Sequence, residues 1–347
     1  MVATSSLPAA EAELLAAGAV IPAHPLALTS RRTLDERRQR ALTRYYVAAG
    51  AGGLAVGVHT TQFAVREPSI GLLRPVLELA AETIDAEATD RPFLRVAGAC
   101  GPIDQAVSEA ELAASLGYHA VLLSPAGLPN LDEAALVERA RAVGEVLPVI
   151  GFYLQEAVGG RRLSADFWRR LADLPAVAAI KAAPFDRYRT LDVVRGVAAS
   201  ERADEVALYT GNDDAILTDL IGANGGRFVG GLLGQWAVWT KTATQLLPLA
   251  HRAAAGDADA LRLATARAPE LTDANAAVFD VAHGFRGCIA GVHEVLRGQG
   301  LLAGTWCLDP DEGLSPGQAA EIQRVRTTYP WLPDDEFVAA HLEKWLR

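Results

Sequence analysis

Short apolar runs and helical segments alternate eight times along this chain, with no hairpin signal between them, and that rhythm limits the folds open to it. The apolar runs at 18–28, 53–58, 92–99, 118–124, 147–154, 177–181, 205–210 and 226–231 read as strands. The stretches at 33–49, 69–86, 104–116, 131–143, a segment opening at Ser164, and those at 188–200, 213–222 and 236–255 read as helices. Strict alternation implies parallel strands joined by helical crossovers. Eight units over about 235 residues predict an α/β fold, a (β/α)8 TIM barrel over residues 18–255. An open doubly wound sheet usually carries a glycine-rich first turn, and the first turn here is His24-Pro25-Leu26 with no G-x-G-x-x-G.

Local signals set the boundaries. Thr33 with Glu36 resembles a capping box, and Gly50 and Gly117 close the first and third barrel helices. Ala9 to Ala17 reads as a short helix within an N-terminal lead-in, residues 1–17. Residues 256–347 read as a C-terminal helical extension, with helices at 257–268, 271–283, 292–299, 315–329 and 334–346 and Pro269 separating the first two.

The stretch Ala176 to Pro184, Ala-Val-Ala-Ala-Ile-Lys-Ala-Ala-Pro, runs small apolar residues straight into one lysine. Such a run reads as a strand buried on both faces. Burial disfavours an ammonium and leaves more of the lysine as free amine, the form that attacks a ketone to make a Schiff base. A lysine at a strand end that snorkels to water is the plainer reading, and the pattern alone leaves both open.

Composition excludes several classes. Lys plus Arg number 32 and Asp plus Glu 42, a net charge of −10, which argues against a nucleic-acid partner and an anionic membrane surface. No apolar run approaches the length of a membrane span. The residues before Ala17 lack a basic n-region, so no signal peptide is expected. Cys100, Cys288 and Cys307 are odd in number and far apart, which signals neither a disulfide framework nor a zinc knuckle. A reducing, cytoplasmic setting is the expectation.

In a barrel of this kind the chemistry sits at the C-terminal ends of the strands. The polar residues expected there are His24, Thr60, Thr61, Ser124, Tyr153, Lys181, Asn212 and Asp213. Lys181 follows Tyr153 by 28 residues, one strand–helix unit, so the two side chains are expected to meet in the barrel mouth, with Tyr153 shuttling protons to the lysine nitrogen. The adjacent hydroxyls of Thr60 and Thr61 could hold a carboxylate or cap a loop. His24 reads as a hydrogen-bonded strand-end histidine, Asp213 and Asp214 as caps of the following helix, and Trp236 and Trp239 as packing. Glu156 could be a solvated loop acid or an acid–base group at the distal end of a substrate.

Four segments together resemble the dihydrodipicolinate synthase / N-acetylneuraminate lyase family of class I, Schiff-base aldolases. They are Gly-Val-His-Thr-Thr-Gln-Phe at 57–63, Pro-Val-Ile-Gly-Phe-Tyr-Leu at 148–154, Val-Ala-Ala-Ile-Lys at 177–181 and Leu-Tyr-Thr-Gly-Asn-Asp-Asp at 208–214. They occur in the family's order and spacing, and the resemblance spans about residues 18–300. It implies that Lys181 forms an imine with a pyruvate-like 2-oxo acid, that Tyr153 is the proton shuttle, that Thr60 and Thr61 hold the carboxylate, and that Gly211 turns its backbone to the substrate. An aldehyde is the implied second partner and a homotetramer or homodimer the implied assembly. No metal or other cofactor is expected, since the imine is the electron sink.

The departures narrow the expectation. Val158 stands where the synthases place an arginine for a second carboxylate, and Ser124-Pro125-Ala126-Gly127 lacks the tyrosine that completes their proton relay. Lysine biosynthesis is therefore not expected. His59, Phe63 and Trp236 are available to a less polar distal half, which predicts a bulky, neutral or aromatic acceptor and rejection of aspartate semialdehyde. Arg161 or Arg162 could restore the missing charge. The function read from the chain is a Schiff-base lyase that forms or cleaves a carbon–carbon bond of a 2-oxo acid. A dehydratase or hydratase-aldolase using the same imine is the near alternative. A metal-dependent hydrolase would need histidines and carboxylates clustered at strand ends, where only His24 and His59 stand, and a metabolite-binding barrel without catalysis is the remaining class.

Overall fold

The computed structural model describes residues 6–88, 90–128, 130–223 and 228–347. Its strands are β1 (Val20–Pro22), β2 (Gly53–Val56), β3 (Leu94–Ala99), β4 (Ala120–Leu123), β5 (Val149–Leu154), β6 (Val177–Ala183), β7 (Ala207–Thr210) and β8 (Phe228–Leu233). All pair in parallel in the order β1-β8-β7-β6-β5-β4-β3-β2, and a parallel bridge from Ala23 to Ala55 closes the ring. The expected (β/α)8 barrel is the observed fold. Of the expected eighth strand at 226–231, residues 226 and 227 lie outside the described residues.

Helices α1 (Ala9–Ala17), α2 (Glu36–Ala49), α3 (Leu73–Glu87), α4 (Ile103–Ser115), α5 (Glu133–Gly144), α6 (Ala165–Ala172), α7 (Arg187–Ala198), α8 (Ile216–Leu220) and α9 (Thr240–Ala254) precede and follow the strands. The extension adds α10 (Ala258–Val278), α11 (Cys288–Gly298), α12 (Gln318–Thr328) and α13 (Asp335–Trp345). Among the described residues no helix is long and apolar enough to cross a membrane.

Each strand divides its side chains between two cores because successive residues point to opposite faces. In β6, Ala179 and Ala183 join the cluster inside the barrel, while Ile180 and Ala182 join the layer between strands and helices. Helix α1 belongs to this arrangement: Leu15 is buried in the inner cluster, and the Tyr209 hydroxyl donates to Leu15 O (2.9 Å) and accepts from Ala19 N (3.1 Å). The lead-in therefore closes the N-terminal end of the barrel.

Several local expectations are corrected. The cap of α2 is Asp35, whose carboxylate accepts from Arg38 N, while the Thr33 hydroxyl pairs with Thr29. Asp35 lies two residues nearer the first helical turn than Thr33 and so reaches the free amide first. Pro269 does not split the extension but lies inside α10. An interior proline costs about 3 kcal/mol. Burial of residues on both sides of it, Ala260 and Ala264 before and Leu271, Ala274 and Val278 after, opposes that cost. Ser164 caps α6 as expected, accepting from Phe167 N at 3.1 Å.

Polar anchors fix the extension on the barrel. Buried Asp334 accepts from the Tyr45 hydroxyl (2.7 Å), Lys241 N (3.0 Å) and Gln299 Nε2 (2.8 Å), joining α2, α9 and the extension at one carboxylate. Gln62, after β2, accepts from Leu308 N at 2.6 Å. These contacts hold residues 279–288 over the C-terminal mouth of the barrel, so the extension helps to form the site.

Candidate active site

A pocket opens at the C-terminal end of the barrel, and its floor is set by β6 and β7. Lys181 points inward and is only 8% exposed. Its amine stands 4.3 Å from the centroid of the Phe152 ring and has no hydrogen-bond or ion-pair partner among the described residues. Gly211 is required beside it: a Cβ there would lie 2.3 Å from Lys181 Cε and 2.7 Å from Ala183 Cβ. The glycine at the end of β7 thus leaves the lysine stem its channel.

Asp213 lines the same pocket, which corrects its expected role as a helix cap. The N-terminus of α8 has no side-chain cap. Instead Asp213 Oδ1 accepts from Gln235 N (2.9 Å) and its carbonyl accepts from Asn275 Nδ2 (2.5 Å), which turns the residue toward the mouth. Burial pushes the Lys181 ammonium down, and the nearby Asp213 carboxylate partly opposes this. Burial pushes the Asp213 carboxyl well up, while the Gln235 amide and the Lys181 charge act the other way. Both groups are driven toward their neutral forms, so one proton can reside on either. Free amine and carboxylic acid are the forms that Schiff-base chemistry uses.

Tyr153 does not meet Lys181. The expected meeting assumed a constant 28-residue offset between β5 and β6. The offset holds at Val149↔Val177, but a bulge follows and the next pair is Ile150↔Ala179. Beyond the bulge Lys181 pairs with Phe152, and Tyr153 pairs with Ala182. A one-residue slip moves a side chain to the other face. Tyr153 consequently lies in the helix layer, stacked on Trp168 with ring centroids 5.3 Å apart, and its hydroxyl accepts a long 3.5 Å bond from Leu163 N. Burial raises its pKa.

The other expected site residues separate in the same way. Thr60 lines the pocket. Thr61 turns inward on its own loop, where its hydroxyl donates to His24 O (2.7 Å) and accepts from Gly57 N (3.0 Å) and Val58 N (3.3 Å), so it caps the turn after β2. His59 lines the pocket and is held neutral: burial, then the Lys181 charge, push it down to about 4. Val158 is half-buried in the wall. Glu156 is exposed and ion-paired to Arg162 at 3.0 Å, outside the pocket lining. Arg161 donates to the carbonyls of Leu128 and Leu131, so neither arginine restores charge to the pocket. His24 is the hydrogen-bonded residue expected, with Nε2 2.9 Å from the Thr43 hydroxyl and Nδ1 2.7 Å from Pro25 O. Trp236 and Trp239 are fully buried, and neither they nor Phe63 line the pocket.

The site includes residues the sequence reading did not assign to it: Phe152, Phe185, Phe279, Phe285 and Cys288. Phe152 was within a quoted segment and is recoverable once the bulge is known. Phe279, Phe285 and Cys288 come from the extension, and no local pattern marks them as facing the mouth. Burial raises the Cys288 thiol far above its usual range, so it is held protonated. Among the described residues no group of three or more His, Cys, Asp or Glu side chains could hold a metal ion.

The chain matches no family model and no curated protein. Solved structures do share its architecture. Dihydrodipicolinate synthase from Oceanobacillus iheyensis superposes with a TM-score of 0.74 at 20% identity, covering 92% of this chain and 99% of that one. The enzyme of the same name from Aquifex aeolicus gives 0.73 at 17% identity, over 91% and 99% of the two chains. N-acetylneuraminate lyase from Fusobacterium nucleatum gives 0.70 at 18% identity, over 90% and 99%. At these identities the likeness is one of fold.

Proposed function

We propose that this protein is a Schiff-base lyase of the dihydrodipicolinate synthase / N-acetylneuraminate lyase type, acting on a 2-oxo acid and using or releasing pyruvate. The observation that carries the reading is Lys181: a desolvated amine with no hydrogen-bond or ion-pair partner among the described residues, at the C-terminal end of a barrel strand and facing a pocket beside a carboxyl group. The fold shared with enzymes bearing those names supports it.

In this reading the free amine of Lys181 adds to the C2 carbonyl of the 2-oxo acid. The carbinolamine hydroxyl takes a proton and leaves as water, giving the iminium. In the cleavage direction the C3–C4 bond breaks, its electron pair enters the C2–C3 enamine, and the C4 hydroxyl loses its proton as the aldehyde departs. Protonation at C3 and addition of water return pyruvate and the amine. Asp213 is the group we assign to these proton transfers, since Tyr153 lies behind the strand and Phe152, which faces the amine, has no proton to give. In this reading Thr60 and the turn of residues 58–61 receive the substrate carboxylate, which their place in the pocket lining supports. The assembly we propose is a homotetramer or homodimer, the reaction needs no metal, and the setting is cytoplasmic.

The test is reduction with borohydride in the presence of pyruvate, read by intact mass. The chain has three lysines, Lys181, Lys241 and Lys344, so the site of modification is easily mapped. One reduced pyruvyl group on Lys181, absent from Lys181→Ala, is the expected result. Equal labelling of the variant would refute the assignment.

A further inference from the structure

The pocket lining sets a few polar side chains, Lys181, Asp213, His59, Thr60 and Gln155, among apolar ones. Phe152 faces the amine, and Val158, Phe185, Phe279 and Phe285 supply further apolar wall. Phe185, just after β6, and Phe285, from the extension, meet edge to face with centroids 5.8 Å apart and an interplanar angle of 66°. Neither ring is withdrawn into the core; both are half-buried.

Holding these two rings there strains the backbone. Phe185 has φ +53° and Phe285 φ +67°, a region that side-chain-bearing residues rarely adopt. Each is fixed by a separate buried polar hub. Phe185 N donates to Asn212 Oδ1 (3.0 Å), and Asn212 is itself held by Thr190 (3.2 Å) and Asp219 (2.9 Å). Phe285 N donates to Asp280 O (3.0 Å), and the Asp280 carboxylate accepts from His283 (2.6 Å), Gly287 N (2.9 Å) and Ser315 (2.5 Å). Strain kept at a pocket wall, where simple packing would relax it, marks a surface built to present aromatic faces.

We infer that the substrate's remote group, beyond the carbon–carbon bond that is made or broken, is an uncharged aromatic ring, so that the aldehyde partner is an aryl aldehyde. This rests on the lyase reading and narrows its substrate class. A second carboxylate at that end would face phenylalanines and a valine. Arg161 and Arg162 are engaged elsewhere, and an unpaired charge among apolar groups carries a large desolvation cost. A polyol would find Gln155 but otherwise phenylalanines and a valine, and would leave most of its hydroxyls without partners. An aryl ring finds edge-to-face geometry already set by Phe185 and Phe285.

Two measurements test it. Binding of 2-oxo-4-phenylbutanoate and of 2-oxoglutarate is compared by calorimetry, which needs no turnover. The phenyl compound is expected to bind at least ~10-fold more tightly, with Phe285→Ala collapsing the preference and Phe285→Tyr, which keeps the ring, retaining most of it. Rates of condensation of pyruvate with benzaldehyde, glyceraldehyde and succinic semialdehyde are compared as well. Equal or tighter binding of 2-oxoglutarate, a preference unmoved in Phe285→Ala, or faster use of either non-aromatic aldehyde would each overturn the inference. Failure of pyruvate trapping at Lys181 would instead count against the lyase reading, while the calorimetry still decides whether the wall selects an aryl group.

Discussion

Strands β5 and β6 lie side by side, are both buried apolar runs, and both carry near their C-terminal ends a residue the sequence marks as chemical. In β6 that residue, Lys181, faces the pocket; in β5 it, Tyr153, faces the helices. The difference is one extra residue in β6, Ala178, opposite the step from Val149 to Ile150. A type of residue at the expected spacing is therefore no guarantee of a face, because the side-chain period of a strand is two and a single insertion inverts it. The consequence is chemical. The proton-transfer role moves from β5 to the end of β7, where Asp213 stands, and β5 contributes a phenyl face.

The sharpest break of this comparison is loss of the β6 group. Lys181→Ala should lower turnover by about 10⁴-fold or more and abolish imine trapping, with little change in thermal stability. Next comes the group at the end of β7: Asp213→Asn should cost on the order of 10²–10⁴-fold in turnover. Gly211→Ala should cost about 10²-fold, since its Cβ would sit 2.3 Å from Lys181 Cε and must displace the amine.

The pH profile should carry the signature of the pair. Activity should rise with pH as the lowered Lys181 ammonium gives up its proton, and fall again as the raised Asp213 carboxyl ionises. In Asp213→Asn the falling limb should disappear while the rising limb stays. A falling limb that persists would assign it to another group.

The smallest expected effect is on stability. Burial pushes His24 from 6.5 down to about 4, so its contribution is complete above pH 6.5 and is lost as the pH falls toward 4. Melting temperature measured from pH 7 to pH 4 should drop by several degrees, and His24→Gln should flatten that drop. An unchanged slope would assign the acid sensitivity elsewhere.

The alternation of apolar runs made the barrel legible, because parallel strands buried on both faces cannot be disguised as anything more polar. Lys181 was legible for the same reason: a lone charge within a run of alanines stands out. Thr60 followed from its place at a strand end, and Gly211 from the family resemblance. What escaped depends on geometry without a local signature. The extra residue is Ala178 of β6, in a run of alanines with no proline or glycine to mark it, so Phe152 takes the place beside Lys181 expected of Tyr153 unannounced. Asp213 looked like a cap because an aspartate before a helix usually is one, and only the tertiary bonds from Gln235 and Asn275 turn it inward. Phe279 and Phe285 reach the mouth through anchors such as Gln62 to Leu308, a pairing 246 residues apart that no periodicity can reveal.

Timed trapping separates proton transfer from the end of β7 from proton transfer by β5. Tyr153→Phe and Asp213→Asn are mixed with pyruvate, quenched with borohydride at successive times, and the reduced adduct on Lys181 is followed by intact mass. Tyr153→Phe should label at the wild-type rate, within about two-fold, and Asp213→Asn on the order of 10²-fold more slowly. Slow labelling of Tyr153→Phe together with wild-type labelling of Asp213→Asn would contradict the assignment to Asp213.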